Sequence, residues 1–399
     1  MICVDGGYQQ DAVVPPKEPG AQMHAFGFTE AVRALLRPAA PRRAETAEST
    51  ANGRAMRLAV DAGNLLTDRR GIGVYVRAVL ERLLDRDDVD ITLLVEHPPA
   101  MLAVLSKAAL VRELGGRSNF RVGLRLPRGA DVAWHPWNGT FFRPRPGTPN
   151  VATVHDVAPF AFPSADAAQR RSQQEPFERT ARTAARIVAD SLFTKTEIVR
   201  YLGVVPERIA VVPLAADARY TPGEPQFAFA ALRGRRYVAC VGAIESRKNV
   251  ATLVEAWREA FPMREVALAI VTPDAVPGDV VHLSRLGIEA LRDVYRGALC
   301  LAAPSIYEGF GLPPLEALAC GTPVVASRAS SLPEVCGDAA LYVERPRSVE
   351  EWAAALRRIA SEESLRAALR ERGLRRAASF TWDRTAGGVV EVLRSAMQA

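Results

Sequence analysis

From Met56 onward the chain alternates short apolar runs with amphipathic stretches, and it does so twice. Runs at Leu58–Asp61, Ile91–Val95, Val132–His135, Val151–His155, Ile187–Ala189 and Ile209–Val212 have the length of buried strands. Helical patterns lie between them, notably Val74–Leu84, Met101–Leu114 and Thr194–Leu202. This alternation predicts a doubly wound parallel sheet. A Pro- and Gly-containing stretch, residues 217–235, then reads as a linker. The alternation restarts with strand Tyr237–Val241, helix Val250–Ala260, strand Ala267–Val271, a helix around Ile288–Arg296, strand Cys300–Ala303, helix Pro313–Ala319, strands Pro323–Ser327 and Leu341–Val343, and two C-terminal helices. The expected architecture is α/β, with two tandem Rossmann-like domains at 56–216 and 236–375. A C-terminal helix within 376–399 is expected to pack back on the first domain. Ligands of such sheets bind beyond the carboxyl ends of the strands, so two facing domains make a cleft.

Residues 1–55 differ from the rest, with Pro15-Pro16, Pro19-Gly20, Pro38 and Pro41. They are expected to be a disordered extension, or the result of a misassigned start with Met56 as the true one.

Composition narrows the function classes. No apolar run reaches the roughly 18 residues of a membrane span, and no charged segment followed by an apolar one marks a secretory signal. A cytoplasmic protein is expected. Five cysteines without a C-x-x-C pair read as reduced thiols, and the scattered histidines give no metal site. A net charge of +6 without a zinc finger, basic zipper or aromatic-basic strand pattern argues against nucleic acid. Phosphorylated small molecules and a membrane surface fit better. Arg112, Arg117, Arg121, Arg125 and Arg128 are either a solvated face or a patch for anionic lipid or a polyprenyl-diphosphate acceptor.

The chemistry is concentrated in residues 303–325. A strand ends near Ala303, the loop Glu308-Gly309-Phe310-Gly311 follows, and Leu312-Pro313-Pro314 opens a helix. Free backbone amides and the dipole at a helix start attract anions. Gly309 and Gly311 allow close approach of a phosphate or sugar. Glu316, in the first turn, would repel a phosphate on the axis; facing sideways it can accept hydrogen bonds from a vicinal diol such as a ribose. Glu308 can reach a transferred sugar. A second block, Gly242-Ala-Ile-Glu-Ser-Arg-Lys-Asn249, follows the first strand of the second domain. Arg247 and Lys248 sit where cations could neutralise a leaving diphosphate.

These blocks resemble glycosyltransferase family 4, the large retaining GT-B family, over the chain from Met56 to near its end. The Glu308–Glu316 spacing is similar to the family's E-x7-E signature, which implies that Glu308 contacts the donor sugar, Glu316 the ribose, and Gly309, Phe310, Gly311 and Leu312 the donor. The Gly242 block resembles the family's diphosphate loop, with Ala243 where many members carry arginine. Gly71 and Gly73, in Asp61–Gly73, resemble the N-terminal glycine loop that packs on the donor phosphates. His155, before Asp156 at a strand end, is similar to a family histidine near the transferred sugar and acceptor. Trp134–Thr140, rich in aromatics and hydrogen-bonding groups, is either an acceptor wall or core packing.

The resemblance implies retention. No carboxylate nucleophile is well placed in the sequence, so front-side displacement is expected, and without a D-x-D motif in a credible strand-end setting neither metal nor cofactor is expected. The expected donor is a nucleotide-diphosphate sugar, GDP-mannose first, ahead of UDP-sugars and dTDP-rhamnose. The expected acceptor is a saccharide or lipid-linked oligosaccharide of surface-polysaccharide synthesis, with peripheral contact at the inner membrane face. The competing readings are a GT-B epimerase or phosphorylase, and a catalytically silent nucleotide-sugar-binding protein.

Overall fold

The computed structural model describes residues 54–69, 71–95, 100–140, 146–226, 229–284 and 286–398, without the side chains of 100–105. The expectation for residues 1–55 falls almost wholly outside them. The first sheet comprises β1 (Met56–Asp61), β2 (Val89–Leu94), β3 (Phe120–Gly123), β4 (Val132–His135), β5 (Asn150–Val154), β6 (Arg186–Ala189) and β7 (Ile209–Val211). All pairings are parallel, in the order β3-β2-β1-β4-β5-β6-β7. Its helices are α1 (Gly71–Leu84), α2 (Ala100–Glu113), α3 (Ala158–Ala161), α4 (Ala167–Thr183) and α5 (Leu192–Leu202).

The second sheet holds β8 (Arg236–Val241), β9 (Val266–Val271), β10 (Val281–Leu283), β11 (Cys300–Ala303), β12 (Val324–Ser327) and β13 (Ala340–Val343), again parallel, in the order β10-β9-β8-β11-β12-β13. Its helices are α6 (Val250–Ala260), α7 (Ile288–Gly297), α8 (Leu312–Ala319), α9 (Leu332–Cys336), α10 (Val349–Ser361) and α11 (Glu363–Ala378). Each sheet reverses strand order once, between β1 and β4 and between β8 and β11. Such switch points are where ligands of doubly wound sheets bind.

A last helix, α12 (Trp382–Ala396), begins where Thr381 accepts a hydrogen bond from the Arg384 amide. Its buried face, including Trp382, Val389 and Leu393, joins the core of the first domain. Thr385 Oγ1 ties it to the Pro213 carbonyl at 2.7 Å. Helix α11 runs through position 375, so the chain returns at residues 379–381.

Besides the short helices α3 and α9 and a third helix after β13, where two were expected, three further elements escaped the sequence reading. Strand β3 is short and lies at a sheet edge, among arginines. Helix α4 is strongly polar and contains Pro176, so its periodicity is faint. The segment 272–287 hides strand β10 between loops. The arginine cluster is partly neutralised: Arg117 pairs with Asp85 at 2.8 Å and Arg121 pairs with Asp90. No described helix is long and apolar enough to cross a membrane. The four described cysteines are buried free thiols.

Candidate active site

The carboxyl ends of β8 and β11 bring the two chemical blocks together. After β8, Gly242 adopts φ +143° with open space where a Cβ would stand, a backbone that disfavours any side chain. Ser246–Lys248 form one 3-10 turn, and Asn249 follows in the left-handed region at φ 53°. Asn249 Nδ2 donates to the carbonyls of Pro304 (3.2 Å) and Pro346 (2.7 Å). The Arg247 carbonyl accepts from Ile306 N at 2.9 Å. The loops after β8 and β11 therefore form one unit.

Within that unit, Lys248 Nζ donates to Glu308 Oε1 at 2.6 Å, and Ser305 Oγ donates to the same oxygen at 2.7 Å. Arg247 Nη1 lies 3.9 Å from Glu308 Oε2, and its Nε donates to Glu245 at 2.7 Å. The side chains of Arg247, Lys248 and Glu308 are only 18%, 16% and 16% exposed. Burial works against the Arg247 charge, but Asp156 first, then Glu308 and Glu245, more than offset it and raise its affinity for the proton. Asp156 belongs to the first domain, so the cation answers to carboxylates from both sides of the cleft.

Helix α8 starts at Leu312 after Gly311 (φ 113°), with proline in its first turn. Glu316 is partly buried. The Tyr295 hydroxyl, on α7, donates to Glu316 Oε2 at 2.8 Å. Burial pushes the Glu316 carboxyl up to about 7, against the hydrogen bonds from Tyr295 and Tyr220. Tyr220 comes from the interdomain linker and meets Tyr295 edge to face at 5.8 Å.

Several residues are placed otherwise than expected. His155 is buried, with Nδ1 2.7 Å from Asp190 Oδ2 and Nε2 2.9 Å from the Pro136 carbonyl. Both ring nitrogens are thus engaged inside the first domain, and none is left to orient a substrate hydroxyl. Burial alone would lower this imidazole; the charge and hydrogen bond of Asp190 outweigh it and raise it. What His155 presents to the cleft is its backbone. A Cβ on Gly309 would stand 1.8 Å from the His155 carbonyl oxygen, so Gly309 is glycine because the two domains touch there.

Phe310 has its side chain buried in the apolar core shared with the first domain, its ring 5.9 Å from Phe380. A Cβ on Gly71 would sit 3.0 Å from Leu312 Cδ1, across the cleft, whereas one on Gly73 would clash with the Asp68 carbonyl at 2.0 Å. Gly73 thus serves the turn before α1. The candidate acceptor wall is core as well: Trp134 Nε1 donates to Thr153 at 3.0 Å, and Trp137 Nε1 to the Asp61 carbonyl at 2.8 Å. Asn138 Oδ1 instead accepts from the amides of His155 (2.8 Å) and Asp156 (3.3 Å) and shapes the end of β5. Among the described residues no group of three or more His, Cys, Asp or Glu is placed to hold a metal ion.

Two parallel α/β domains with the site between them match solved glycosyltransferases. HepE of Anabaena, solved in complex with UDP and glucose, superposes with a TM-score of 0.65 at 15% identity, over 85% of this chain and 100% of that one. WaaG, a glycosyltransferase involved in lipopolysaccharide biosynthesis, gives 0.60 at 15% identity over 84% and 99%. The fold is that of a GT-B glycosyltransferase.

The family models agree: "Glycosyltransferase Family 4" matches residues 69–220 and "Glycosyl transferases group 1" matches residues 235–362. O-antigen chain mannosyltransferase B of Escherichia coli is 30% identical over 275 residues, 63% of this chain and 71% of that one. D-inositol 3-phosphate glycosyltransferase of Rhodococcus opacus is 33% identical over 288 residues, and the match spans 64% of its length. The chain belongs to glycosyltransferase family 4, group 1.

Proposed function

We propose that the protein transfers mannose from GDP-mannose to a hydroxyl of a saccharide or lipid-linked oligosaccharide in surface-polysaccharide synthesis, with retention at the anomeric carbon. The observation that carries the reading is the Glu308–Lys248–Arg247 cluster at the β8/β11 switch point, with Glu316 on helix α8 just past its first turn. Family membership supports sugar transfer, and the similarity to a mannosyltransferase supports the sugar.

In this reading the nucleotide lies on the second domain, its ribose diol on Glu316. The diphosphate faces Arg247, Lys248 and the start of α8, where charge develops as it leaves. Glu308 accepts a hydroxyl of the transferred sugar. Glu308, held by Lys248 and Ser305, suits a hydroxyl ligand better than a nucleophile. The bond from the anomeric carbon to phosphate breaks, the bond to the acceptor oxygen forms on the same face, and the acceptor proton passes to a diphosphate oxygen. Arg247 and Lys248 supply the charge a metal ion would otherwise supply. His155 shapes the site through its backbone and is a positioning residue.

Titration with GDP, UDP, ADP and dTDP tests the donor. A nucleotide at about 100 times its Kd adds roughly 2.7 kcal/mol to stability. GDP is expected to raise the melting temperature most, and Glu316→Ala to abolish the shift. Release of mannose from GDP-mannose that persists in EDTA supports metal-free chemistry. Preference for UDP or dTDP would overturn the donor assignment, and binding without turnover would favour a silent binder.

A further inference from the structure

The segment 330–334 touches both halves of the molecule. Toward the second domain it cradles the Glu308 loop. Ser330 Oγ accepts from Glu308 N at 3.0 Å, and Ser331 Oγ lies 2.9 Å from the Glu308 carbonyl and 2.6 Å from the Phe310 carbonyl. Toward the first domain, both oxygens of Glu334 accept from Leu192 N at 2.9 Å, and one also from Phe193 N at 3.3 Å.

Those are the first two amides of α5. Amides at a helix start have no partner within the helix, and the positive end of the dipole favours an anion. Ser191 caps only the Thr194 amide from within the first domain. The carboxylate that completes the cap comes from the other domain. Its backbone is fixed in turn: Arg376, on α11, donates to the carbonyls of Val335 (2.9 Å) and Glu334 (2.5 Å). The same turn of α5 also holds the donor loop, because Ser191 Oγ and Thr194 Oγ1 lie 2.6 and 2.9 Å from the Gly309 carbonyl.

We propose that Glu334 is a positioning residue: by clasping the α5 amides it holds the domains together and sets the Glu308–Gly311 backbone in register with the first domain. The proposal rests on the reading of that loop as the donor loop.

Small-angle X-ray scattering of the full chain tests it in wild type, Glu334→Ala and Leu192→Pro. Leu192 is 61% exposed and is the first helical residue, a position that favours proline. Ser191 before it is extended (φ −150°, ψ 163°), as a residue preceding proline must be. Leu192→Pro therefore removes the amide while sparing the fold, and it decides the matter alone if Glu334→Ala does not fold. Both variants are expected to melt cooperatively yet show an increased radius of gyration and a growth of long interatomic distances. Hydrolysis of the nucleotide sugar is expected to fall roughly tenfold, a typical coupling between sites, with the nucleotide Kd unchanged. Scattering curves of Leu192→Pro and Glu334→Ala that superpose on wild type would overturn the proposal. The scattering needs no ligand, so failure of the donor reading shows separately, as absence of nucleotide binding.

Discussion

Tyr295 donates its hydroxyl proton to Glu316 at 2.8 Å, and that carboxyl titrates near neutrality, at about 7. Only the ionised form can accept from both hydroxyls of a ribose with no proton in the way. Binding should therefore release a proton. Affinity for the nucleotide should rise about tenfold between about pH 6 and pH 8, the change in ionised fraction around such a value. In Tyr295→Phe the lost hydrogen bond moves the carboxyl higher still and the profile with it. Calorimetry in two buffers of different ionisation enthalpy measures the proton directly; a flat pH profile would refute the role. In the empty protein the raised carboxyl binds its proton more tightly folded than unfolded. Its contribution to stability consequently declines as pH rises from its ordinary value toward 7.

Lys248→Ala leaves Glu308 with Ser305 and a more distant Arg247. Loss of a cation aimed at developing charge is expected to reduce sugar release about 10²- to 10³-fold. The largely buried Glu308 carboxylate, deprived of its charge-assisted bond, costs roughly 1–3 kcal/mol in stability. Turnover and thermal melting of the same variant separate the two effects.

His155→Ala should act through stability. It strands Asp190, whose second oxygen Oδ1 is buried without a hydrogen-bond partner, and breaking a buried pair costs about 3–5 kcal/mol. The imidazole is raised in the folded protein, so its stabilising effect is complete below its ordinary titration range and is lost as pH climbs through the raised value. Urea melts across that range follow it in wild type, and the trend should vanish in the variant.

Gly309→Ala places a methyl group 1.8 Å from the His155 carbonyl, inside an interdomain contact. Turnover should be lost while each domain keeps its secondary structure by circular dichroism. Full activity in this variant would mean that the domains do not meet there during catalysis.

Much of the site could be read along the chain because its parts are local. Glu308, Gly311, the proline-led start of α8 and Glu316 lie within nine residues, and Arg247 and Lys248 within one turn. Tyr220, Tyr295, Asp156 and Glu334 could not be found that way. Each gains its role from a partner in another element, and no spacing records such a contact. Tyr220 lay in a stretch that reads as a linker. For His155 and Trp134 a strand end and aromatic residue types leave a binding role and a packing role both open, and burial and internal hydrogen bonds decide which face they serve. Phe310 stands in the donor-loop pattern in sequence, and its side chain packs as core.

The return of α12 to the first domain also governs the order in which the chain can mature. Domains usually fold as they leave the ribosome, N-terminal first. Here Trp382, Val389 and Leu393 complete the core built on β1 and α1, so the first domain lacks part of its core until the second has been made. The second domain needs no part of α12 for its own core clusters, whereas the first does.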